Sequence, residues 1–327
     1  MKENINIAII GATGMVGSKL IEIINEKKDI YQNIYLFASK RSKGTKIEIL
    51  NKKYEVLELT DGIFNFRIDI AYFVAGGEIS KRYALKLASK GVYVIDNSSY
   101  FRNEPNIPLI IPEVNLNTLN KNNYLISNPN CSTIQSVLTL KVIDQLYDIV
   151  RVNYTTYQAV SGSGYQGIKE LINSKKGLEP KFYPKTIYDN LIPQIDDFLD
   201  DGFTKEEHKM INETQKILGK EIDCMATCVR VPINYGHSVS IDVETNQEID
   251  LKTLSNAYKN FPGIKFYEND YPTPKDSVGN DLVLVGRLRL NPNNKKELLV
   301  WNVSDNVRKG AAANAYKIGE YIKGEYL

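Results

Sequence analysis

Cys131 stands where a strand pattern gives way to a helix pattern, a position that can activate a thiol. Residues 124–127 (YLIS) predict a strand and 128–130 (NPN) a turn, and the apolar spacing that follows predicts a helix. Cys131 therefore falls in the first helical turn, where the positive helix end lowers a thiol's pKa and nearby N–H groups can stabilise an oxyanion. The pattern favours a nucleophile that attacks a carbonyl. A small buried core residue is the alternative, because cysteines outside disulfides are usually of that kind.

A thiolate nucleophile needs a base or proton shuttle, and the chain has two histidines. His208 lies in a charged helical stretch (EEHK), which is typical of a solvated surface imidazole. His237 follows a loop (PINYG) and opens a strand, where catalytic groups are often held. We therefore take His237 as the partner of Cys131. Cys224 and Cys228 lie within one predicted strand without finger-like histidine spacing, so we expect core cysteines and no metal site.

A glycine-rich turn near the N-terminus predicts a dinucleotide site. Residues 5–10 read as a buried strand, 11–17 (GATGMVG) as a turn, and the residues after them as a helix. Glycines there let backbone N–H groups approach a pyrophosphate at the helix N-terminus. The spacing departs by one residue from the common fingerprint, so a simple glycine turn is the alternative. The candidate contacts are Gly11, Thr13, Gly14, Met15 and Val16.

The end of the second predicted strand indicates which dinucleotide is bound. An NAD site places an acidic residue there, whereas this chain has Ser39, Arg41 and Ser42 within SKRSK. Hydroxyls and a guanidinium suit the 2′-phosphate of NADP, which we predict as the cofactor. An exposed, solvated run of charge is the other interpretation.

The order of the predicted elements gives an α/β fold with two domains. Strands near 5–10, 33–38, 68–75 and 92–95 alternate with helical stretches, which is typical of a Rossmann-like doubly wound parallel sheet. After about residue 150, longer alternating segments predict a second, α+β mixed-sheet domain. The alanine-rich segment 306–322 predicts a final helix that returns to the first domain. We expect 1–130 plus 306–327 to bind NADP and 131–305 to form the catalytic and dimerisation domain.

Composition excludes several classes of protein. The 327 residues suffice for about two domains at roughly 100–200 residues each. A net charge of +2 without a long basic block argues against nucleic-acid or membrane-surface binding, and no apolar run is long enough for a transmembrane helix. The start shows no leader pattern, and three cysteines are too few for a disulfide framework. We therefore expect a cytoplasmic protein.

Seven motifs in order resemble the bacterial aspartate-semialdehyde dehydrogenases, over nearly the whole chain. They are GATGMVG (11–17), ASKRS (38–42), DNSSYFR (96–102), PEVN (112–115), SNPNCST (127–133), RVPINYGHS (230–238) and SDNVRKGAAANA (304–315). The resemblance implies that NADPH reduces β-aspartyl phosphate to aspartate semialdehyde and releases inorganic phosphate. This step feeds lysine, threonine, methionine and diaminopimelate synthesis. The resemblance also implies a homodimer.

The same resemblance implies roles for individual residues. Cys131 is the acylated nucleophile, Gln158 lies beside the thioester, and His237 is the acid/base. Arg230 clamps the substrate α-carboxylate and Glu213 meets its amino group. The pocket for the transferred phosphate is formed by Arg102, Asn130 and Lys216, and further cofactor contacts by Ser161, Gly162 and Asn306. Glu213 and Lys216 are three residues apart on a predicted helix and share a face, so without the motif they would read as a surface ion pair.

Two rival functions compete with this interpretation. N-acetyl-γ-glutamyl-phosphate reductase uses the same acyl-phosphate chemistry, but its nucleophile typically lies in a Gly-Cys-Tyr motif, whereas Asn130 precedes Cys131 here. A non-catalytic NADP-binding protein would keep the fold and lose the chemistry. Such a protein would be expected to have lost some of five residues, but this chain has all five, which argues against a non-catalytic function. They are Cys131, His237, Arg102, Lys216 and Arg230.

Overall fold

The computed structural model describes residues 5–29 and 31–327. The chain divides into two compact units, Met1–Pro129 with Ala311–Leu327, and Asn130–Gly310. The sequence placed these divisions after residues 130 and 305.

The secondary structure follows in chain order. The strands are β1 (Asn6–Ile10), β2 (Asn33–Ala38), β3 (Lys46–Ile49), β4 (Lys52–Glu58), β5 (Ile70–Phe73), β6 (Tyr93–Asp96), β7 (Leu125–Ser127), β8 (Ile149–Gln158), β9 (Asp223–Arg230), β10 (His237–Thr245), β11 (Ile264–Tyr267), β12 (Val283–Asn291) and β13 (Asn294–Ser304). The α-helices are α1 (Met15–Lys27), α2 (Gly77–Ala88), α3 (Pro112–Asn115), α4 (Cys131–Tyr147), α5 (Gly164–Lys175), α6 (Lys205–Leu218), α7 (Leu251–Asn260), α8 (Pro274–Ser277) and α9 (Ala313–Glu325). No helix in the described part of the chain is long and apolar enough to cross a bilayer.

The first unit contains a sheet in the order β3-β4-β2-β1-β5-β6-β7, parallel except for the edge pair of β3 and β4. β1 is buried along its whole length, which its nearly unbroken apolar sequence requires when helices cover both faces. The doubly wound parallel sheet is therefore confirmed. The sequence analysis missed the β3–β4 hairpin, because its turn is made by Leu50 and Asn51 at positive φ without a glycine.

The last helix begins later than predicted. Residues Arg308–Ala312 form a π-helical turn, and α9 follows from Ala313. Ile318 and Ile322 of α9 join the core that contains Ile7 and Ile9 of β1, so this helix does pack in the first unit.

The second unit contains a six-stranded mixed sheet in the order β11-β12-β13-β10-β8-β9. β8 and β9 run parallel, and β10 is antiparallel to both β8 and β13. Along β9, Ala226 and Cys228 are buried whereas Met225 and Thr227 are exposed, and Leu299 of β13 is exposed as well. One face of this part of the sheet is thus open.

Candidate active site

Three predicted site residues lie at one edge of the mixed sheet. β8 ends at Gln158 and β9 ends at Arg230, and the parallel register pairs these two residues directly. β10 is antiparallel to β8 and begins at His237. The next residue of β10, Ser238, pairs with Tyr157, the residue before Gln158 on β8. Gln158, Arg230 and His237 are all buried.

The backbone of Ala159 holds two of these side chains. Its N–H donates to Nδ1 of His237 at 2.9 Å, and its carbonyl accepts from Nη1 of Arg230 at 2.8 Å. One peptide segment therefore fixes the imidazole and the guanidinium together. Sequence reasoning missed this residue, because a backbone contact leaves no mark on the side chain at that position.

Burial keeps the His237 ring neutral, and the contact to Ala159 determines which ring nitrogen carries the proton. Burial, followed by the positive charge of Arg230, lowers the pKa of His237 from 6.5 to about 3, against a smaller opposing effect of Glu206. Nδ1 accepts a hydrogen bond, so the single proton of the neutral ring lies on Nε2. Nε2 is buried, and none of the residues that the structure describes accepts a hydrogen bond from it. The site thus contains a buried N–H donor at Nε2 of His237.

Gly162 leaves room in front of both groups. A Cβ at this position would lie 2.8 Å from Nη1 of Arg230 and 3.2 Å from Nε2 of His237. A side chain would therefore fill the space that these two donors face.

Cys131 is the first residue of α4, as the sequence predicted. The side chain of Asn130 caps this helix by accepting from the N–H groups of Ser132 and Thr133. Gly310, in the π-helical turn, packs directly on Cys131, because a Cβ there would lie 2.9 Å from Cβ of Cys131. The cysteine thus sits at a capped helix start in a closely packed position.

Helix α6 carries Glu213 and Lys216 on one face. Glu213 is buried and its Oε2 accepts from the backbone N–H of Asn130 at 2.7 Å. The alternative of a surface ion pair is therefore wrong for Glu213. Lys216 is half-buried one turn further along.

Glu206, which sequence reasoning did not select, contacts two predicted site residues. Its Oε1 accepts from Nδ2 of Asn130 and from Nε2 of Gln158, each at 3.0 Å, and its Oε2 lies 3.1 Å from Nζ of Lys209. Burial alone would raise the pKa of Glu206, but Lys209, the two amides and Arg230 lower it to about 2. The signal available in the sequence was the capping box of Thr204 and Glu207, which starts α6 and turns both glutamates inward.

The predicted cofactor contacts of the second unit also lie together. The side chains of Ser161 and Asn306 hydrogen bond to each other, and Oδ1 of Asn306 accepts from the N–H of Gly236, the residue before His237. Gln135, one turn after Cys131, donates to the carbonyl of His237 at 3.1 Å. α4 and the start of β10 are therefore joined by a buried hydrogen bond. His208 lies elsewhere, half-buried, with Nε2 2.7 Å from Asp201.

The first unit holds Arg102 and the glycine-rich turn. Arg102 is buried and its Nη2 donates to the carbonyl of Asn97 at 2.7 Å. Gly11 has a φ of +97°, and a Cβ there would lie 2.8 Å from the carbonyl oxygen of Val74, so only glycine fits. Gly14 is the N-cap of α1, and Met15 and Val16 open the helix. Having no side chain, Gly14 leaves the first-turn N–H groups without a side-chain cap.

The residues chosen for the 2′-phosphate form a short 3-10 turn after β2. This turn spans Lys40–Ser42, and Oγ1 of Thr13 in the glycine-rich turn donates to Oγ of Ser42 at 3.2 Å. Ser39, just before this turn, and Arg41, within it, are exposed. This donor set fits an adenine dinucleotide with a 2′-phosphate, since hydroxyls and a guanidinium lie next to the helix start.

Family models and full-length relatives all match this chain to semialdehyde dehydrogenases. The family model for the NAD binding domain of semialdehyde dehydrogenase matches residues 6–122, and that for the semialdehyde dehydrogenase dimerisation domain matches residues 140–309. The aspartate-semialdehyde dehydrogenase of Aquifex aeolicus is 44% identical over 335 residues and that of Campylobacter jejuni 41%, with 98% of each chain covered in both cases.

A crystal structure of aspartate semialdehyde dehydrogenase II from Vibrio cholerae has a TM-score of 0.94 at 41% identity, covering 99% of this chain and 100% of that one. Another structure of that enzyme, "complexed with ASA", has the same score and covers 100% of both chains. This chain belongs to the aspartate-semialdehyde dehydrogenase family.

Proposed function

We propose that this oxidoreductase converts β-aspartyl phosphate and NADPH into aspartate semialdehyde, inorganic phosphate and NADP+ through a thioester on Cys131. The family assignment gives the reaction class. The residues at the edge of the mixed sheet provide the groups that this reaction needs.

NADPH is the proposed reductant because the turn after β2 carries hydroxyls and Arg41 where an NAD site carries a carboxylate. When bound, NADPH supplies the hydride. The proposed contacts are the backbone around Gly11 and Gly14 for the pyrophosphate and Ser39, Arg41 and Ser42 for the 2′-phosphate. Ser161, Gly162 and Asn306 are the proposed contacts of the second unit.

The substrate carries three charged groups, and the chain has a matching residue for each. Arg230 is anchored through Nη1 on Ala159, and its buried Nε has no acceptor among the described residues, so donors remain for the α-carboxylate. Glu213 is the proposed partner of the amino group. The phosphate is assigned to Arg102, Asn130 and Lys216, which supply cationic and amide donors.

Cys131 carries out the covalent step. Its thiolate attacks the acyl carbon, the C–S bond forms, and the C–O bond to phosphate breaks with release of phosphate. Hydride addition to the thioester then gives a hemithioacetal oxyanion, and its collapse breaks the C–S bond and returns the thiolate. The start of α4 favours the anionic sulfur in both steps.

His237 stabilises the oxyanion through Nε2–H. The ring carries its proton on that nitrogen and none on Nδ1, so donation is the chemistry available to its neutral form. The geometry thus favours a hydrogen-bond donor over the proton-transferring acid/base that the resemblance implies. The same contact serves the oxidation direction, because each step reverses through the same transition state.

The single observation that carries this proposal is the pairing of Arg230 and His237 on the two backbone atoms of Ala159, facing the space that Gly162 leaves. The test is steady-state reduction of NADP+ by the purified protein with aspartate semialdehyde, with and without inorganic phosphate. We expect phosphate-dependent turnover that Cys131→Ala abolishes. Turnover only with N-acetylglutamate semialdehyde, or NADP+ binding without turnover on either aldehyde, would overturn it.

We also propose a cytoplasmic homodimer. The match to a dimerisation domain and the open sheet face with Met225 and Leu299 support the second copy. The three cysteines, one of them the proposed nucleophile, support a reducing compartment.

A further inference from the structure

We propose that Glu206 is a positioning residue that fixes the orientation of the Gln158 amide; this inference rests on the function proposed above. Glu206 lies in the first turn of α6, 48 residues from Gln158 in sequence, and is 4% exposed. Its contact to Gln158 is the hydrogen bond from Nε2 to Oε1, at 3.0 Å.

The orientation of Gln158 matters because the two ends of an amide have opposite chemistry. Nε2 donates and Oε1 accepts, so rotation by 180° would turn a donor into an acceptor. A carbonyl or oxyanion on Cys131 is stabilised by a donor and repelled by an acceptor. An amide nitrogen carries two protons, so in the observed orientation Nε2 donates one to Glu206 and keeps the other for an acyl oxygen on Cys131.

The hydrogen bond between Thr156 and the Gln158 side chain cannot select that orientation. Oε1 of Gln158 accepts from the hydroxyl of Thr156 at 2.9 Å. A threonine hydroxyl both donates and accepts, so it would serve a rotated amide equally well. An ionised carboxylate only accepts. Glu206 is thus the group that distinguishes the two orientations.

Glu206 is itself held in place and kept ionised by its neighbours. Nδ2 of Asn130 donates to the same Oε1 at 3.0 Å, and Lys209 lies 3.1 Å from Oε2. These contacts, together with the charge of Arg230, keep the pKa of Glu206 at about 2 despite burial. The acceptor therefore persists over the whole working pH range.

Glu207 provides a matched control. It is the next residue in the same helical turn and is also buried, but its carboxylate accepts from the backbone N–H groups of Thr204 and Cys228. Its hydrogen bonds are thus structural and reach neither Gln158 nor Asn130. Glu206→Gln and Glu207→Gln each remove one negative charge from the first turn of α6.

The experiment is a pair of double-mutant cycles with Gln158→Ala, read as kcat and KM in phosphate-dependent NADP+ reduction. Glu206→Gln replaces the carboxylate with an amide, which has one acceptor oxygen and one donor nitrogen. This amide cannot accept from Asn130, Gln158 and Lys209 as the carboxylate does. We expect kcat to fall about 10- to 100-fold with KM changed less than about threefold. In the Gln158→Ala background the same change should cost less than about threefold, because the group being positioned is absent.

Glu207→Gln should change kcat by less than about threefold in either background, whatever it does to the thermal midpoint. If Glu206→Gln costs as much in the Gln158→Ala background as in the wild type, the proposal is overturned. It is also overturned if Glu207→Gln reproduces the kinetic loss.

If Glu206→Gln does not fold, Lys209→Met is used in its place. Lys209 is partly exposed and contacts Oε2 of Glu206, so its loss loosens the carboxylate without removing it. We expect a kcat loss of about three- to tenfold that vanishes with Gln158→Ala. A loss that persists there overturns the proposal. Wild-type turnover is measured first, so that failure of the proposed function is seen separately.

Discussion

Replacing His237 with asparagine or glutamine should separate activity from stability. The two replacements keep different halves of the imidazole. The Oδ1 atom of asparagine lies near the position of Nδ1 and can accept from the N–H of Ala159. The amide nitrogen of glutamine reaches toward the position of Nε2 and can donate there.

The structure sets the size of each effect. Loss of one preorganised donor to an oxyanion costs about 10²- to 10³-fold in kcat, so His237→Asn should lose about that much. His237→Gln keeps a donor and should retain at least about tenfold more activity than the asparagine variant. Conversely, His237→Gln leaves the buried N–H of Ala159 without its acceptor, which costs about 1–3 kcal/mol of unfolding free energy. Activity and stability should therefore rank the two variants in opposite orders.

The pH dependence of activity and of stability gives a second test of the neutral imidazole. Burial and Arg230 hold the pKa of His237 at about 3, so the ring stays neutral from pH 5 to 8. The plot of kcat against pH for the wild type should therefore show no titration near pH 6.5 that can be assigned to His237, and replacing His237 should remove none. The folded pKa lies below the unfolded value of 6.5, so the unfolded chain binds the proton first and stability falls as pH drops from 6.5 toward 3. The full difference is at most about 5 kcal/mol.

The assays are kcat for NADP+ reduction between pH 5 and 9 and urea unfolding at the same pH values, for the wild type and both variants. A finding that both variants are equally inactive, together with a wild-type limb near pH 6.5 that both lack, would refute the neutral donor. It would make His237 a titrating acid/base instead.

Three further predictions concern Gly162, Arg41 and Met225. Gly162→Ala places a methyl 2.8 Å from Arg230 and 3.2 Å from His237, so kcat/KM for aspartate semialdehyde should fall about 10- to 100-fold with the unfolding midpoint in urea little changed. Arg41→Ala should weaken NADP+ binding about 10-fold or more and leave NAD+ binding within about twofold, measured by titration calorimetry; equal losses for both would contradict the 2′-phosphate contact. Met225→Asp puts a charge on the open sheet face and should shift the mass measured by light scattering from dimer toward monomer; an unchanged dimer would place the interface elsewhere.

The elements that hold the site could be read from the sequence because their signals are local. The alternation of RVNYTTYQ and HSVSIDVET predicts strands, and β8 and β10 are there. The change from YLIS through NPN to a helical stripe predicts Cys131 at a helix start, which is where α4 begins. In each case a few neighbouring residues determine the conformation, so no knowledge of distant partners was needed.

The parts that could not be predicted depend on partners far away in the chain. Glu206 lies in a charged run that reads as solvated, yet its acceptor atoms meet Asn130 and Gln158, 76 and 48 residues away. Ala159 acts through backbone atoms, and any residue type would offer the same N–H and carbonyl. Gly162 is recognisable as permissive, but the donors that require its small size come from two other strands.

The two ionisation states that the proposed chemistry uses depend on each other. Arg230 opposes protonation of His237, and the same guanidinium helps to keep Glu206 ionised. Glu206 in turn raises the pKa of His237 slightly, so the carboxylate limits how far the positive charge of Arg230 can lower that pKa. Both groups have folded pKa values below their ordinary ones, and therefore both lose stabilisation as pH falls, His237 from 6.5 toward 3 and Glu206 from 4.5 toward 2. Above that window the fold holds the neutral donor and the ionised acceptor together, which is the combination that a hemithioacetal oxyanion and an oriented Gln158 amide require.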